Sequence, residues 1–437
     1  MKISVSGVRG IYGSDLNLKS VGKFSRLFAC SAIKSGRKCV IGRDTRPSGR
    51  IIAQTVIAAL LEQGIDVYDL GIAPTPMVFR EARKFDAGLI ITASHNPLDW
   101  NGIKFIIDGR GIFENELDLM LKESLSFADS FGTSSNLVSN YINEVSDLIA
   151  QTQSTQSMRL GLDPGGGAAC KYVDQLFKKL GHKFFDVNNV YGISSRDPDP
   201  AATNLDELRM MVVKNQLDFG FAFDLDGDRV VVIDNMGKKL NPDVTLLICL
   251  ASAVSIGLKK FVTSIDTSIS VEKYIRKHSC SLFYSKVGEA NVVNKILEIG
   301  ADAGGEGSSA GFIMPSFNMC RDGFLASAII SSLDKKLIDE CLLLASQYTQ
   351  IRSKLPMDSV LHSKIMDRLA DSFKKESSEV LTIDGIKVVI DEDSWILIRP
   401  SNTEHVIRIS VESKPENAHS LYKQVNEKVM LLYDQLR

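Results

Sequence analysis

Several things are scarce in this 437-residue sequence, and each scarcity removes a class of protein. There is no basic excess: 51 Lys and Arg stand against 53 Asp and Glu, a formal charge of −2, with the two signs interspersed along the chain. A nucleic-acid binder that grips a phosphate backbone through a broad basic face is therefore excluded. No C-x-x-C pair occurs. The seven cysteines, at 30, 39, 170, 249, 280, 320 and 341, are odd in number, scattered and mostly set in apolar runs. They read as reduced, buried thiols and not as a zinc or disulfide framework. Long apolar runs are missing too. The longest, Val244 to Leu258, is broken by Thr245, Ser252 and Ser255, and Met1 to Ser6 lack the apolar stretch of a signal peptide. A soluble, cytoplasmic protein with no membrane partner is the expectation. Any anion it binds must be held by a local cluster.

What the sequence does have is apolar material for more than one core, 44% of its residues. At roughly 150 residues per domain, its length suggests about three domains. Short β-rich runs alternate with helix-length amphipathic segments, the pattern of layered α/β domains. Strands are expected at Lys38–Gly42, Asp66–Leu70, Ala87–Thr92, Arg159–Asp163, Phe219–Phe223 and around Phe261–Thr263, with helices at Gly49–Gln63, Ala168–Leu180, Val244–Ser255 and Ser270–Lys277. Two polar runs, Ser130–Asn136 and Gln151–Ser157, read as linkers and place a boundary near residue 150. Around Lys354–Pro356 the texture changes to a smaller α+β unit, with strands at Gly385–Ile390, Trp395–Arg399 and Val406–Val411 and a helix from Glu416. Four units fit this rhythm: 1–150, 151–242, 243–350 and 351–437.

Four short segments carry chemistry. In Asp224-Leu225-Asp226-Gly227-Asp228-Arg229, three carboxylates at alternate positions across a glycine turn can converge on one hard cation, and Mg²⁺ prefers such oxygen ligands. A calcium loop beginning at Asp224 would need Gly where Arg229 stands and Glu where Asn235 stands, so an EF-hand is excluded. A solvated acidic turn is the plain alternative, but three crowded aspartates between apolar strands would repel one another without a counter-ion. The second segment, Thr92-Ala93-Ser94-His95-Asn96-Pro97, puts a serine at the carboxyl end of an expected strand, where α/β folds bind ligands. It does not match G-x-S-x-G, and an ordinary polar loop before Pro97 would look the same. Lys104 lies near enough in sequence to reach back toward Ser94 as an acid/base group. The third, Arg399-Pro400-Ser401-Asn402-Thr403-Glu404, offers a guanidinium fork and hydroxyls suited either to a phosphate or to a hydrogen-bonded turn. The fourth, Gly304-Gly305-Glu306-Gly307-Ser308-Ser309, offers one carboxylate and hydroxyls for sugar contacts, unless it is a flexible surface loop. Gly165-Gly166-Gly167 lacks the spacing of a dinucleotide fingerprint and reads as a tight strand-to-helix turn.

Taken together and in this order, these segments resemble the α-D-phosphohexomutases over nearly the whole chain. Ser6-Gly7-Val8-Arg9-Gly10 and Gly42-Arg43-Asp44-Thr45-Arg46 add to the match. The resemblance implies an α/β, four-domain architecture: three related mixed-sheet domains and a smaller α+β C-terminal domain around a central cleft. It implies that Ser94 is carried as a phosphoserine, and that Asp224, Asp226, Asp228 and a phosphoserine oxygen hold one Mg²⁺. The enzyme would interconvert hexose 6-phosphate and hexose 1-phosphate through a hexose 1,6-bisphosphate. Arg399, Ser401, Asn402 and Thr403, assisted by Arg408, would clamp the phosphate that does not react. Glu306 and Ser308 would contact sugar hydroxyls in either orientation. Arg9, His95 and Lys104 would surround the reacting oxygen, with Lys104 as acid/base, and Arg229 and Lys286 would line the cleft. The partner is then a small phosphosugar, and the chain a monomer or homodimer.

Departures from the family pattern bear on the substrate. Many members carry a histidine in the sugar loop where this chain has Ala310, and His405 stands where proline is usual. The Gly-Glu-Gly-Ser loop with Arg321-Asp322-Gly323 looks more like the phosphoglucosamine mutase branch, so the reading leans to glucosamine phosphate. A phosphomannomutase/phosphoglucomutase is the alternative within the family. A catalytically silent sugar-phosphate binder and a metal-dependent phosphatase are the alternatives outside it.

Overall fold

A computed structural model describes residues 1–32, 37–124, 128–153, 156–376, 379–401 and 405–437. The chain divides into two compact units, residues 1–245 with 309–334, and residues 246–308 with 335–437.

The first unit contains two sheets. In the larger, parallel strands Lys38–Arg43, Asp66–Ile72 and Ala87–Ile91 lie beside the antiparallel strand Trp100–Ile107, which pairs in turn with Gly7–Ile11. Ala87–Ile91 is buried along its whole length, as a central strand covered on both faces must be. Helices Leu18–Ala32 and Gly49–Glu62 supply Phe24, Leu27, Phe28, Ile52, Val56 and Leu60 to the core with Ile41, Leu89, Ile91 and Phe105. The second sheet orders Lys183–Asp186, Arg159–Asp163, Phe219–Phe223 and Val230–Asp234, with the last pair antiparallel and the others parallel. The acidic segment 224–229 is thus the hairpin turn between two buried strands.

Two sequence expectations change here. Ser130–Asn136 is not simply a linker: Ser134–Asn136 adds a parallel edge strand to Val67–Asp69, and Asp66 accepts hydrogen bonds from Thr133 through both its backbone N–H and its hydroxyl. The helix expected from Ala168 begins at Tyr172. The glycine turn itself is as tight as expected. Gly165 and Gly166 have φ of 59° and 65°, and a Cβ on Gly166 would lie 2.5 Å from Ile193 O. The chain then needs Ala168–Lys171 to recover a helical direction.

The second unit holds a parallel sheet, Ser281–Ser285, Lys260–Ser264 and Ala303–Glu306, and an antiparallel five-stranded sheet ordered Thr349–Pro356, Val406–Ser413, Ser394–Pro400, Ile386–Asp391, Glu379–Leu381. The texture change read at Lys354 falls inside the first strand of that antiparallel sheet. Its core of Ile365, Leu369, Phe373, Val388, Ile398, Ile409 and Val429 packs the sheet against helices His362–Glu376 and Pro415–Leu436.

A buried carboxylate joins the two sheets. Glu412 is 2% exposed and accepts from Trp395 Nε1 at 2.8 Å, from Ile269 N at 2.7 Å at the start of helix Ile269–Lys277, and from the Ser268 hydroxyl at a short distance. Removing the acceptor while leaving three buried donors costs more than forming it gained. Glu412→Ala should lower the unfolding free energy of this unit by roughly 3 kcal/mol in urea titration, with Glu412→Gln losing less.

Candidate active site

The hairpin turn after Phe219–Phe223 places three carboxylates together: ligand oxygens of Asp224, Asp226 and Asp228 all lie within 4.8 Å of one another, and all three residues are buried. Like charges at that separation repel by about 3 kcal/mol per pair even at an effective dielectric constant near 20. The chain offsets this with cations, two of them from distant segments. Lys104, from strand Trp100–Ile107, donates to Asp226 Oδ2 at 2.7 Å and Asp228 Oδ2 at 3.3 Å. Arg321 donates to Asp228 Oδ2 at 2.8 Å, and Arg229 Nε stands 3.6 Å from Asp228 Oδ1. Thr75 holds Asp226 twice, its hydroxyl to Oδ2 at 2.6 Å and its N–H to the backbone carbonyl at 2.8 Å.

These neighbours split the three acids. Burial and the charges of Asp226 and Asp228 push Asp224 well above the usual carboxylate range. Burial and Asp228 also oppose ionisation of Asp226, but Lys104 and Thr75 prevail and hold it below its ordinary value. Burial likewise opposes ionisation of Asp228, and Arg321, Lys104 and Arg229 overcome it by a wide margin. Burial lowers the Arg9 guanidinium, against the pull of Asp226 and Asp228. Burial and the Arg229 charge bring the His95 imidazole down to about 4.

Ser94 faces this cluster. Its Oγ donates to Asp224 Oδ2 at 3.1 Å and lies 3.4 Å from His95 Nδ1. The backbone at Ser94 is left-handed, φ 53°, a conformation costing an L-residue roughly 1–2 kcal/mol. Surrounding hydrogen bonds compensate: Ser94 N donates to Thr92 Oγ1 at 2.8 Å, and Arg46 NH2 donates to Ser94 O at 2.6 Å.

One structural observation tests whether the cluster suits a cation. Asp226 Oδ1 and Asp228 Oδ1 are buried and accept no hydrogen bond, and buried Arg9 Nε donates none, among the described residues. Two orphaned carboxylate oxygens within reach of a third aspartate form an oxygen donor set for a divalent ion, and the orphaned guanidinium N–H suits an anion beside it. The residues fit the group. Helix Gly323–Ser332 closes the floor of the site. A Cβ on Gly323 would lie 2.9 Å from both Arg229 O and Gly227 O, so only glycine lets the helix start against the acidic turn. Its N-cap Asp322 accepts from Leu325 N at 2.9 Å and from the Tyr141 hydroxyl at 2.6 Å.

The second unit gathers other residues singled out in sequence. Gly288 N donates to Glu306 Oε1 at 2.8 Å, and Gly307 N to Thr267 Oγ1 at 3.3 Å. Val287 N and Arg399 NH1 both donate to Asp384 Oδ2 at 3.1 Å, which brings the Lys286 turn beside the Arg399 strand. Arg399 and Arg408 are directly paired across adjacent strands, and Ser401 N donates to Val406 O at 3.0 Å. Lys286 is exposed and Ser308 partly so. Asn402 and Thr403 lie outside the described residues.

Sequence reasoning missed Thr75 and Asp384 as site residues, and used Arg321 only as a branch marker. Asp384-Gly385 had a usable signal: an Asp-Gly turn between strands, with Gly385 at φ 80° and no room for a Cβ beside Ile398 O, at 2.3 Å.

A divalent cation at 100 times its dissociation constant should stabilise the native chain by about 2.7 kcal/mol, read as a rise in melting temperature. Asp226→Asn should abolish that rise, and a full shift in the variant would place the ion elsewhere.

Models of the phosphoglucomutase/phosphomannomutase family match along the chain: alpha/beta/alpha domain I over residues 1–125, domain II over 139–237, domain III over 241–339 and the C-terminal domain over 358–427. The chain is 33% identical to a phosphoglucosamine mutase of Methanococcus vannielii, with 88% of this chain and 90% of that protein aligned. It is 31% identical to a phosphoglucosamine/phosphogalactosamine mutase of Sulfurisphaera tokodaii, over 94% and 95% of the two. In fold it is similar to a phosphoglucomutase/phosphomannomutase family protein of Burkholderia thailandensis, with a TM-score of 0.86 at 24% identity and 98% of each chain covered. The acidic turn, the serine loop and the four matched domains together make this chain a member of the phosphoglucomutase/phosphomannomutase family, a phosphohexomutase of the isomerase class.

Proposed function

We propose that the chain isomerises glucosamine 6-phosphate and glucosamine 1-phosphate, with Ser94 as the phosphoryl carrier and a 1,6-bisphosphate as intermediate. The observation that carries this reading is the presentation of Ser94 Oγ 3.1 Å from Asp224, in a site where Lys104, Arg229 and Arg321 offset the carboxylates. Phosphoryl transfer needs positioning and charge neutralisation more than covalent chemistry, and such a site supplies both.

Asp224, Asp226 and Asp228, with an oxygen on Ser94, would hold Mg²⁺, which when bound adds positive charge at the transferring group. Arg9 would meet the phosphoryl oxygens through its buried, unengaged Nε–H. Lys104 is oriented by its two carboxylate contacts and would exchange the proton of the sugar hydroxyl as phosphorus–oxygen bonding passes from Ser94 to the sugar. With a pKa near 4, His95 stays neutral at neutral pH and can accept a hydrogen bond beside Ser94. Arg229 would line the cleft. Glu306, Ser308 and Lys286 would contact the sugar, and Arg399, Ser401, Asn402, Thr403 and Arg408 would hold the phosphate at rest.

The lean to glucosamine rests on the Gly-Glu-Gly-Ser loop with Arg321-Asp322-Gly323 and on the named relatives, one of which is named as a phosphoglucosamine/phosphogalactosamine mutase. The chain is proposed to work in the cytoplasm as a monomer or homodimer; among the described residues no helix is long and apolar enough to cross a membrane.

Coupled assays with a bisphosphate activator should rank glucosamine 6-phosphate above mannose 1-phosphate and glucose 1-phosphate. Intact-mass analysis should find one phosphate, absent in Ser94→Ala together with roughly 1,000-fold or more of the activity. Free phosphate as the main product would support the phosphatase instead, and no turnover of any sugar phosphate would support the silent binder.

A further inference from the structure

One buried side chain shapes the serine loop without touching the Ser94 hydroxyl. Arg46 is 1% exposed, and among the described residues its ion pair is with Asp44, itself fully buried, Nε to Oδ2 at 3.0 Å. The remaining four guanidinium N–H groups all go to backbone carbonyls of the loop. NH2 donates to Ser94 O at 2.6 Å and Asn96 O at 2.7 Å; NH1 donates to Trp100 O at 2.9 Å and, at a shorter distance, to Pro97 O. A guanidinium has five N–H donors in a fixed planar fork, and here all five are used. Asp44 completes a second connection: its Oδ2 accepts from Thr92 Oγ1 at 2.6 Å, and Thr92 Oγ1 accepts from Ser94 N at 2.8 Å. Ser94 is therefore gripped at both backbone polar groups, its carbonyl by Arg46 directly and its N–H by Arg46 through Asp44 and Thr92.

We infer that Arg46 is the positioning residue of the phosphoryl-carrier loop: it imposes the left-handed turn that points Ser94 Oγ at the acidic cluster. This rests on Ser94 as the carrier. Ser94 at φ 53° will not hold that orientation by its own preference, so the surroundings must over-determine it. A lysine cannot substitute, because three donors on one nitrogen cannot reach four carbonyls spread over residues 94–100 and also Asp44. Because the grip acts on the carrier and not on the bound sugar, its loss should appear in the transfer step and not in substrate affinity.

The test is paired. Arg46→Lys should lower kcat on the order of 100-fold, the scale of a 1 Å misplacement, with KM within about threefold of wild type. Thr92→Val keeps Arg46 and the fold but cuts the second connection. It should slow phosphate uptake on Ser94 from a hexose 1,6-bisphosphate, followed by intact mass, and lower kcat about tenfold or more. Thr92→Ser, which restores the hydroxyl, should recover both. If Arg46→Lys does not fold, the Thr92 pair decides alone. Thr92→Val loading and turning over at the wild-type rate overturns the inference, as does a loss confined to KM or to melting temperature. A wild-type enzyme that isomerises sugar phosphate without ever carrying phosphate on Ser94 overturns the carrier assignment and this inference with it. A wild type that loads beside variants that load equally fast overturns the inference alone.

Discussion

Mutual repulsion among Asp224, Asp226 and Asp228 is the constraint around which the first unit is organised. Within the turn Arg229 relieves it only in part, its Nε 3.6 Å from Asp228 Oδ1 and its N–H donating to Asp224 Oδ1 at 3.2 Å, while all three acids are buried. Relief comes from three other places: Lys104 on a strand of the neighbouring sheet, Thr75 at the start of a helix, and Arg321 just ahead of another helix. Each brings its backbone with it. Gly323 at the helix start, the Asp322 cap and the Tyr141 hydroxyl are consequences of bringing Arg321 close. The compensation stops short of completeness: among the described residues, one oxygen on Asp226 and one on Asp228 accept no hydrogen bond. Stability and function meet at that point, since a fully neutralised cluster would have no reason to take up a cation.

The uneven protonation of the three acids follows from the same arrangement. Asp228 receives Arg321, Lys104 and Arg229, and Asp226 receives Lys104 and Thr75, while Asp224 has Arg229 beside it and a neutral serine hydroxyl in front. The carboxylate with the weakest electrostatic support is thus the one nearest the proposed carrier. A dianionic phosphoryl group on Ser94 would then approach the acid that burial and its neighbours hold furthest from ionisation.

Legibility in the sequence followed distance along the chain. The strands Phe219–Phe223 and Arg159–Asp163 and the acidic turn could be read because their pattern is complete within a few residues. The partners that complete the turn and the serine loop could not: Arg321 lies 93 residues from Asp228, Thr75 lies 151 from Asp226, and Arg46 lies 48 from Ser94. Asp384 escaped notice because its role depends on the Lys286 turn and Arg399, which only tertiary packing brings to it. The Ser-rich run 130–136 looked like a linker because composition shows polarity but not Asp66, which turns part of that run into an edge strand. The family resemblance supplied roles for Ser94, Glu306 and Arg399 that periodicity and spacing alone left undecided.

The split of the chain has a consequence for synthesis on the ribosome. The first unit is not contiguous: residues 246–308 intervene before its last segment, 309–334, is made. Until that segment emerges, the nascent acidic hairpin lacks Arg321, and Phe223 lacks the aromatic ring of Phe324 against which it packs, with centroids 5.3 Å apart. The site's electrostatics therefore cannot be completed in the order of translation. Its assembly is a late, long-range closure, and premature termination anywhere before residue 321 would release a chain with three aspartates gathered and one of their principal counter-charges never made.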